Sequence, residues 1–178
     1  MIETERLLLR VWREADAAPF HAICIDPRVM EFVGPPWSLD EAGRFIAKQR
    51  EFQHKQGYCN WAIEQKADGA LLGFCGIKPG PSGTPVAGRP DIGWRLAFPA
   101  WGMGLAREAA AGPIAWGFAH LSDDIIWAKT VPANVRSWGL MLRLGMAYVA
   151  GADFDHPALS EGDPLRRHVL YRIKRPDD

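Results

Sequence analysis

The sequence predicts an α+β domain, with a mixed sheet covered by helices on both faces. Three observations carry this. Short apolar or alternating segments interleave with segments of helical periodicity, in the order β-α-α-β-β-β-α-β-α-β. Tyr58 to Gln65 and Leu71 to Ile77 flank the turn Lys66-Ala67-Asp68-Gly69, which makes an antiparallel hairpin. Asp91 to Leu96, a glycine loop, a helix and Ile125 to Val131 then follow one another. That order makes two parallel strands joined by a right-handed crossover. A chain of 178 residues makes one domain, spanning 1–178, with enough length for a full core.

The elements read as follows. Leu7 to Trp12 is a strand, and Asp16 to Ile25 a short helix. Ser38-Leu39-Asp40-Glu41 is a capping box: the Ser38 hydroxyl satisfies an early helix N–H, and Glu41 reaches back to the cap. The helix it opens runs to about Gln56, with Phe45, Ile46 and Phe52 on its apolar side, and Gly57 ends it. Residues 79–88 are dense in Pro and Gly and form a loop, not a domain linker. The crossover helix runs from Gly104 to about His120, with a kink or a missing ladder bond expected at Pro113. Ser137 to Leu144 is a helix stopped by Gly145. Residues 151–166 are polar and punctuated, and Arg167 to Ile173 closes the sheet.

Composition excludes several classes of function. The chain is 48% hydrophobic and 24% charged, with a formal net charge of zero and no basic block, so no nucleic-acid partner is expected. No apolar run approaches the ~20 residues of a membrane span, so no membrane partner is expected. The first residues lack the basic and apolar regions of a signal peptide. Cys24, Cys59 and Cys75 are odd in number and widely spaced, which fits neither a disulfide framework nor a metal site and suits a cytoplasmic protein. Asp153, Asp155, His156, Asp163 and His168 fit no ligand template, so no metal is expected. Some of the eight tryptophans are expected to line a pocket.

The most informative segment is Gly93 to Ala109. A strand meets two closely spaced glycines, Gly102 and Gly104, and these open an Ala-rich helix. Free N–H groups and the helix dipole, with no side chains in the way, make a phosphate or pyrophosphate site.

Trp101-Gly102-Met103-Gly104-Leu105-Ala106-Arg107-Glu108-Ala109 resembles the coenzyme-A loop of the GNAT superfamily of N-acetyltransferases. It is most similar to the W-G-x-G-x-A-x-E-A version of the RimJ/RimL-like branch, which acetylates ribosomal-protein N-termini. Four further segments resemble that branch in order and spacing: residues 3–10 its first strand, Asp91 to Leu96 its fourth, Pro132 to Ser137 its A-N-x-x-S turn, and Leu144-Gly145-Met146 a helix end. The resemblance covers roughly residues 3–174. It departs from the broader superfamily at Pro99, where Gln or Arg is usual, and at Asp91, where Glu is frequent.

The resemblance implies a three-layer α/β/α fold. Its central sheet is mixed and mostly antiparallel, and parallel strands splay at an acetyl-CoA site. It implies acetyl transfer from acetyl-CoA to a primary amine by direct attack in a ternary complex, with no metal. Asp91 is then the base, reaching the amine through a water because it is a methylene shorter than Glu; the competing reading is a solvated carboxylate or a partner of Arg89 or Arg95. Ser137 is then the acid for the departing thiolate, the competing reading being a helix N-cap. Tyr148 is a second donor candidate. The backbones of Leu96 and Phe98 would pair with pantetheine, Trp101 to Ala106 would cradle the pyrophosphate, and Asn134 would meet a pantetheine amide. Arg107 and Arg136 are candidates for the remaining phosphates. The acceptor is a small-molecule amine or a protein N-terminal amine, walled by Trp37, Tyr58, Asn60, Trp94 and the 151–166 loop. The assembly is a monomer or homodimer. The alternative function is a non-catalytic coenzyme-A-binding module. A phosphotransferase is disfavoured, because no Lys-Ser/Thr follows the glycines.

Overall fold

Side-chain alternation along the strands builds a core on each face of a single sheet. The structure is a computed structural model and describes residues 1–176. The strands are β1 (Ile2–Glu3), β2 (Leu7–Arg10), β3 (Asn60–Gln65), β4 (Leu71–Pro79), β5 (Pro90–Leu96), β6 (Ile125–Thr130), β7 (Ala147–Tyr148), β8 (Phe154–Asp155) and β9 (Arg167–Lys174). The helices are α1 (Ala17–Cys24), α2 (Pro27–Met30), α3 (Leu39–Gln56), α4 (Leu105–His120) and α5 (Val135–Arg143). Trp61, Ile63, Cys75, Ile77 and Ile92 turn to one face and pack with Leu105, Ala109 and Ile114 of α4 and Met141 of α5. Ala62 and Phe74 turn to the other and pack with Phe20 and Cys24 of α1, Val29 of α2 and Ile46 of α3. This is the three-layer arrangement expected.

The strand order is β1-β2-β3-β4-β5-β6-β9-β7, with β8 paired to β9. Every pairing is antiparallel except β5 with β6. That parallel pair shares only the register position Asp91 with Trp127, although the strands are seven and six residues long. Beyond that position they diverge, and the divergence creates the site described below.

The α3 capping box is present: Ser38 Oγ accepts from Glu41 N–H at 3.2 Å, and Glu41 Oε2 accepts from Ser38 N–H at 2.7 Å. The helix α4 runs unbroken through Pro113. Several elements differ from the sequence reading. β2 stops at Arg10, because Trp12 turns into the α1–α3 core and its Nε1 donates to Asn60 O. Helix α2 was not foreseen, although Asp26 caps it and Pro27 occupies its first position. The helix α5 begins at Val135 rather than Ser137, because Asn134 is its cap. The strands β1, β7 and β8 have two residues each, too few to show a period.

Candidate active site

A cavity of about 700 Å³ opens where β5 and β6 part. One wall is the end of β5 with the glycine loop: Trp94, Arg95, Leu96, Ala100, Trp101, Gly102, Gly104 and Ala106. The opposite wall is the start of α5: Asn134, Val135, Arg136, Ser137 and Leu140. The third is α2 and the turn after it: Arg28, Val29, Phe32 and Val33.

The glycine loop is set by backbone conformation. Gly102 and Gly104 have φ of +75° and +77°, a region that L side chains adopt only with strain. Gly104 stands at the cap position of α4 and offers no side chain to the helix start. The first ladder bond runs from Glu108 N–H to Gly104 O, so the N–H groups of Leu105, Ala106 and Arg107 have no acceptor within the helix. The motif's Glu108 is a clamp. Its carboxylate accepts from Thr4 Oγ1 at 2.6 Å and from Arg6 N and Nε at 2.7 Å, while Arg6 Nη1 donates to Met103 O at 3.0 Å. The N-terminal segment thereby fixes the loop.

The expected coenzyme residues divide. Leu96, Trp101, Gly102, Gly104, Ala106 and Asn134 border the cavity. Met103 is exposed and Leu105 has its side chain in the core. Phe98 needs correction: β5 ends at Leu96, and Phe98 lies in the 3-10 turn Phe98–Ala100. Its carbonyl accepts from Trp101 N–H at 3.0 Å, and its ring carries the Arg28 guanidinium at 3.7 Å. Leu96 O accepts from Trp101 Nε1 at 2.9 Å, which leaves it one lone pair for a ligand.

On α5, Asn134 Oδ1 accepts from Ser137 N–H at 3.2 Å. The N-cap is therefore Asn134, and the reading of Ser137 as the cap is corrected. Among the described residues the Ser137 hydroxyl has no hydrogen-bond partner, and Ser137 borders the cavity. Tyr148 does not border it: its hydroxyl donates to Asp153 Oδ1 at 2.9 Å. That hydrogen bond, with burial, holds the Tyr148 phenol above its ordinary value.

Asp91 is 2% exposed and lies outside the cavity lining. Its Oδ2 accepts from Lys78 at 3.0 Å and from Lys129. It is therefore neither solvated nor an arginine partner. Arg89 lies over the Trp127 ring, and Arg95 lies two pleats away. Burial pushes the Lys129 ammonium below its ordinary value, against the pull of Asp91. His156 and His168 gather beside this group, with ring centroids 5.2 Å apart, and burial lowers both. Among the described residues no group of three or more His, Cys, Asp or Glu can hold a metal.

The sequence offers Arg95 only as a partner for Asp91. It is 9% exposed, and its Nη1 donates to Cys24 Sγ at 3.1 Å. Its Nε has no partner. It lies among Trp37, Phe74 and Phe20, with its carbon Cζ 4.2 Å from the Trp37 ring centroid. Cation–π contact recovers roughly 2 kcal/mol, against several kcal/mol for burying an ion. The available signal was a charge at the last inward position of a strand, between Trp94 and Leu96 and beside the glycine loop. Of the expected acceptor walls, Trp94 borders the cavity and Trp37 packs on Arg95. Tyr58 packs on Trp116 in the other core, and Asn60 is buried against Gln49 and Trp12. Part of the 151–166 loop, from Leu159 to Leu165, faces α2 across a second hollow.

The acetyltransferase (GNAT) domain family matches residues 6–147, and the chain belongs to that family. It is an N-acetyltransferase with acetyl-CoA as its acyl donor. N-acetyltransferase p20 of Bacillus licheniformis is 30% identical over 140 residues, covering 78% of this chain and 77% of the relative. An acetyltransferase from Agrobacterium tumefaciens superposes with a TM-score of 0.78 at 26% identity, over 98% of this chain and 94% of that one. The ribosomal-protein-S5-alanine acetyltransferase of Vibrio fischeri superposes at 0.74 with 18% identity, over 98% and 96%, a likeness of fold.

Proposed function

We propose that acetyl-CoA lies in the cavity between β5 and α5 and that its acetyl group passes directly to a primary amine held against α2. The observation that carries this reading is the coincidence of three features on one cavity. These are the splay of β5 from β6, the uncapped start of α4 and the unengaged Ser137 hydroxyl. The unsatisfied N–H groups of α4 receive the pyrophosphate, and Arg107 and Arg136 stand near enough to the loop to meet further phosphate charge. Asn134, whose Oδ1 is used, offers its Nδ2 to a pantetheine carbonyl.

The amine nitrogen bonds to the thioester carbon as the C–S bond breaks. The amine's proton leaves to a base, and the thiolate takes a proton from an acid. Ser137 is the acid, since its hydroxyl is unengaged and Tyr148 is occupied by Asp153. Asp91 shares a sheet face with Arg95 and draws the amine's proton through water, with Lys129 and Lys78 holding its charge. The acceptor is a small-molecule amine or a protein N-terminal amine, a reading supported by the resemblance of the motif set to the RimJ/RimL-like branch. Three buried free thiols suit a reducing cytoplasm.

The test is thiol release from acetyl-CoA over a panel of amines. Ser137→Ala is expected to slow turnover by roughly 10²-fold or more. That loss persists at high pH, because the thiolate still lacks its donor. A protein that binds acetyl-CoA tightly but releases no thiol with any amine is the non-catalytic module instead.

A further inference from the structure

We propose that the acceptor amine also carries a carboxylate, and that Arg95 receives it. This rests on the transferase reading above and narrows its substrate class to amino acids and their short peptides.

Two buried arginines make the case by contrast. Arg10 is 6% exposed, and both its terminal nitrogens donate to Asp16 at 2.8 Å while its Nε donates to Glu64 at 2.6 Å. This is how the chain accommodates a buried guanidinium when the charge serves only the fold. Arg95 is as deeply placed and meets no carboxylate among the described residues. Its one polar partner, the Cys24 thiol, is pushed up by burial and stays neutral. Its Nε is orphaned. Desolvation pulls the Arg95 guanidinium below its ordinary value, yet a guanidinium remains charged at neutral pH.

The cavity repeats the message. Arg28, Arg95, Arg107, Arg136 and Arg143 border it, and no Asp or Glu among the described residues does. Arg28 and Arg136 have carboxylate partners in Asp26 and Glu31, and both are mostly exposed. Coenzyme phosphates account for charge at the glycine loop and α5. They do not account for Arg95, which faces away from the α4 layer into the aromatic group of Phe20, Trp37 and Phe74. A forked guanidinium with a free Nε edge is the natural receiver of a carboxylate. A polyamine would bring several positive charges to a wall without a single acid, so that acceptor class is disfavoured. An amine bearing a carboxylate would supply the missing anion and be fixed by it, its nitrogen turned toward the thioester.

The experiment compares acceptors that differ only in the anion. Common amino acids are assayed for thiol release beside their carboxamides, their decarboxylated amines and spermidine. Short peptides with free and amidated C-termini separate a single amino acid from a peptide source. The wild type is expected to prefer the carboxylate of each pair by on the order of 10²-fold or more in kcat/KM. Arg95→Met is expected to erase that preference, chiefly through KM. Acetyl-CoA affinity by calorimetry should be unchanged, and thermal stability unchanged or raised. Arg95→Lys is expected to restore part of the preference. Equal use of acid and amide by the wild type overturns the proposal and leaves the transferase standing, and so does a preference that survives Arg95→Met. A loss of stability with an equal loss on all acceptors makes Arg95 structural and also overturns it. Acetyl-CoA binding without thiol release for any amine would instead overturn the transferase reading beneath it.

Discussion

Asp91 and Arg95 stand on the same face of β5, about 13 Å apart along the strand, and burial treats them in opposite ways. Asp91 is 2% exposed and receives two lysines, one from the neighbouring strand on each side. Arg95 is 9% exposed and has no opposite charge beside it among the described residues. A chain under selection for folding alone would treat both alike, since an unpaired buried charge is among the costlier defects a fold carries. Asp91 finds its counter-charges within the protein. The Arg95 site is complete only with something bound. The uncapped start of α4 is its neutral counterpart: N–H groups without acceptors, aimed at a cavity. The unsatisfied groups thus mark where ligands belong.

The contrast is tested hardest at Asp91. Asp91→Asn leaves Lys78 and Lys129 without their counter-charge, so it is expected to destabilise the fold by roughly 3–5 kcal/mol. In the same variant kcat/KM should fall by roughly 10²–10⁴ near neutral pH, a loss that shrinks as the free amine becomes abundant at higher pH. The two effects separate in the double variant Asp91→Asn with Lys129→Met. That pair should recover much of the stability, measured by denaturant unfolding, and none of the activity. Full recovery of turnover along with stability would leave Asp91 a structural partner of the lysines and remove it from the chemistry.

The coenzyme end should respond to the backbone and side chain at Gly104. A Cβ at Gly104 would meet nothing closer than Arg6 Nη2 at 3.6 Å, so a side chain there does not collide with the protein. Its φ of +77° is the obstacle. Gly104→Val is expected to cost about 1–3 kcal/mol of local strain. The loop relieves this by moving, and acetyl-CoA affinity then falls by about one to two orders of magnitude in calorimetry. Unchanged affinity would mean that the α4 N–H groups are not the phosphate site.

How much of this was legible in the sequence depends on the distance over which each signal acts. The α3 cap, the β3–β4 hairpin and the glycine loop are local patterns, and each was readable within a few residues. The splay was readable as strand–loop–helix–strand order. The partners of Asp91 were not, because Lys78 lies 13 and Lys129 lies 38 positions away and only the sheet brings them together. Nor was the clamp of Glu108 on Thr4 and Arg6, more than 100 positions away. Phe98 was misplaced because the strand breaks two residues before it, at a point where Ala97 N–H still bonds Leu72 O. Arg95 was visible as a charge in an apolar strand. That it lacks a partner is a property of the whole fold and has no local signature.

The smallest expected effect lies at the loop side of the Asp91 cluster. His168 is half-buried, stacked on Phe154, with Nδ1 3.1 Å from Arg166 O. It is faced by His156 from the loop, by Lys129 from β6, and more distantly by Asp91 from β5. Burial is the main cause that lowers it below its ordinary value of 6.5, with His156 and Lys129 adding to the shift against the Arg166 carbonyl and Asp91. The folded protein therefore resists a proton that the unfolded chain accepts. Stability from this source is whole above the ordinary value and is lost as pH falls through the depressed one, by at most about 1.4 kcal/mol per pH unit. Protonation would add a third cation to a face where one carboxylate already serves two lysines. Thermal unfolding between pH 8 and 5 should therefore fall more steeply in the wild type than in His168→Gln, before carboxylate titration begins to dominate. Parallel curves would show that the cluster absorbs the extra charge, and that its pairing is looser than that of Arg10 with Asp16 and Glu64.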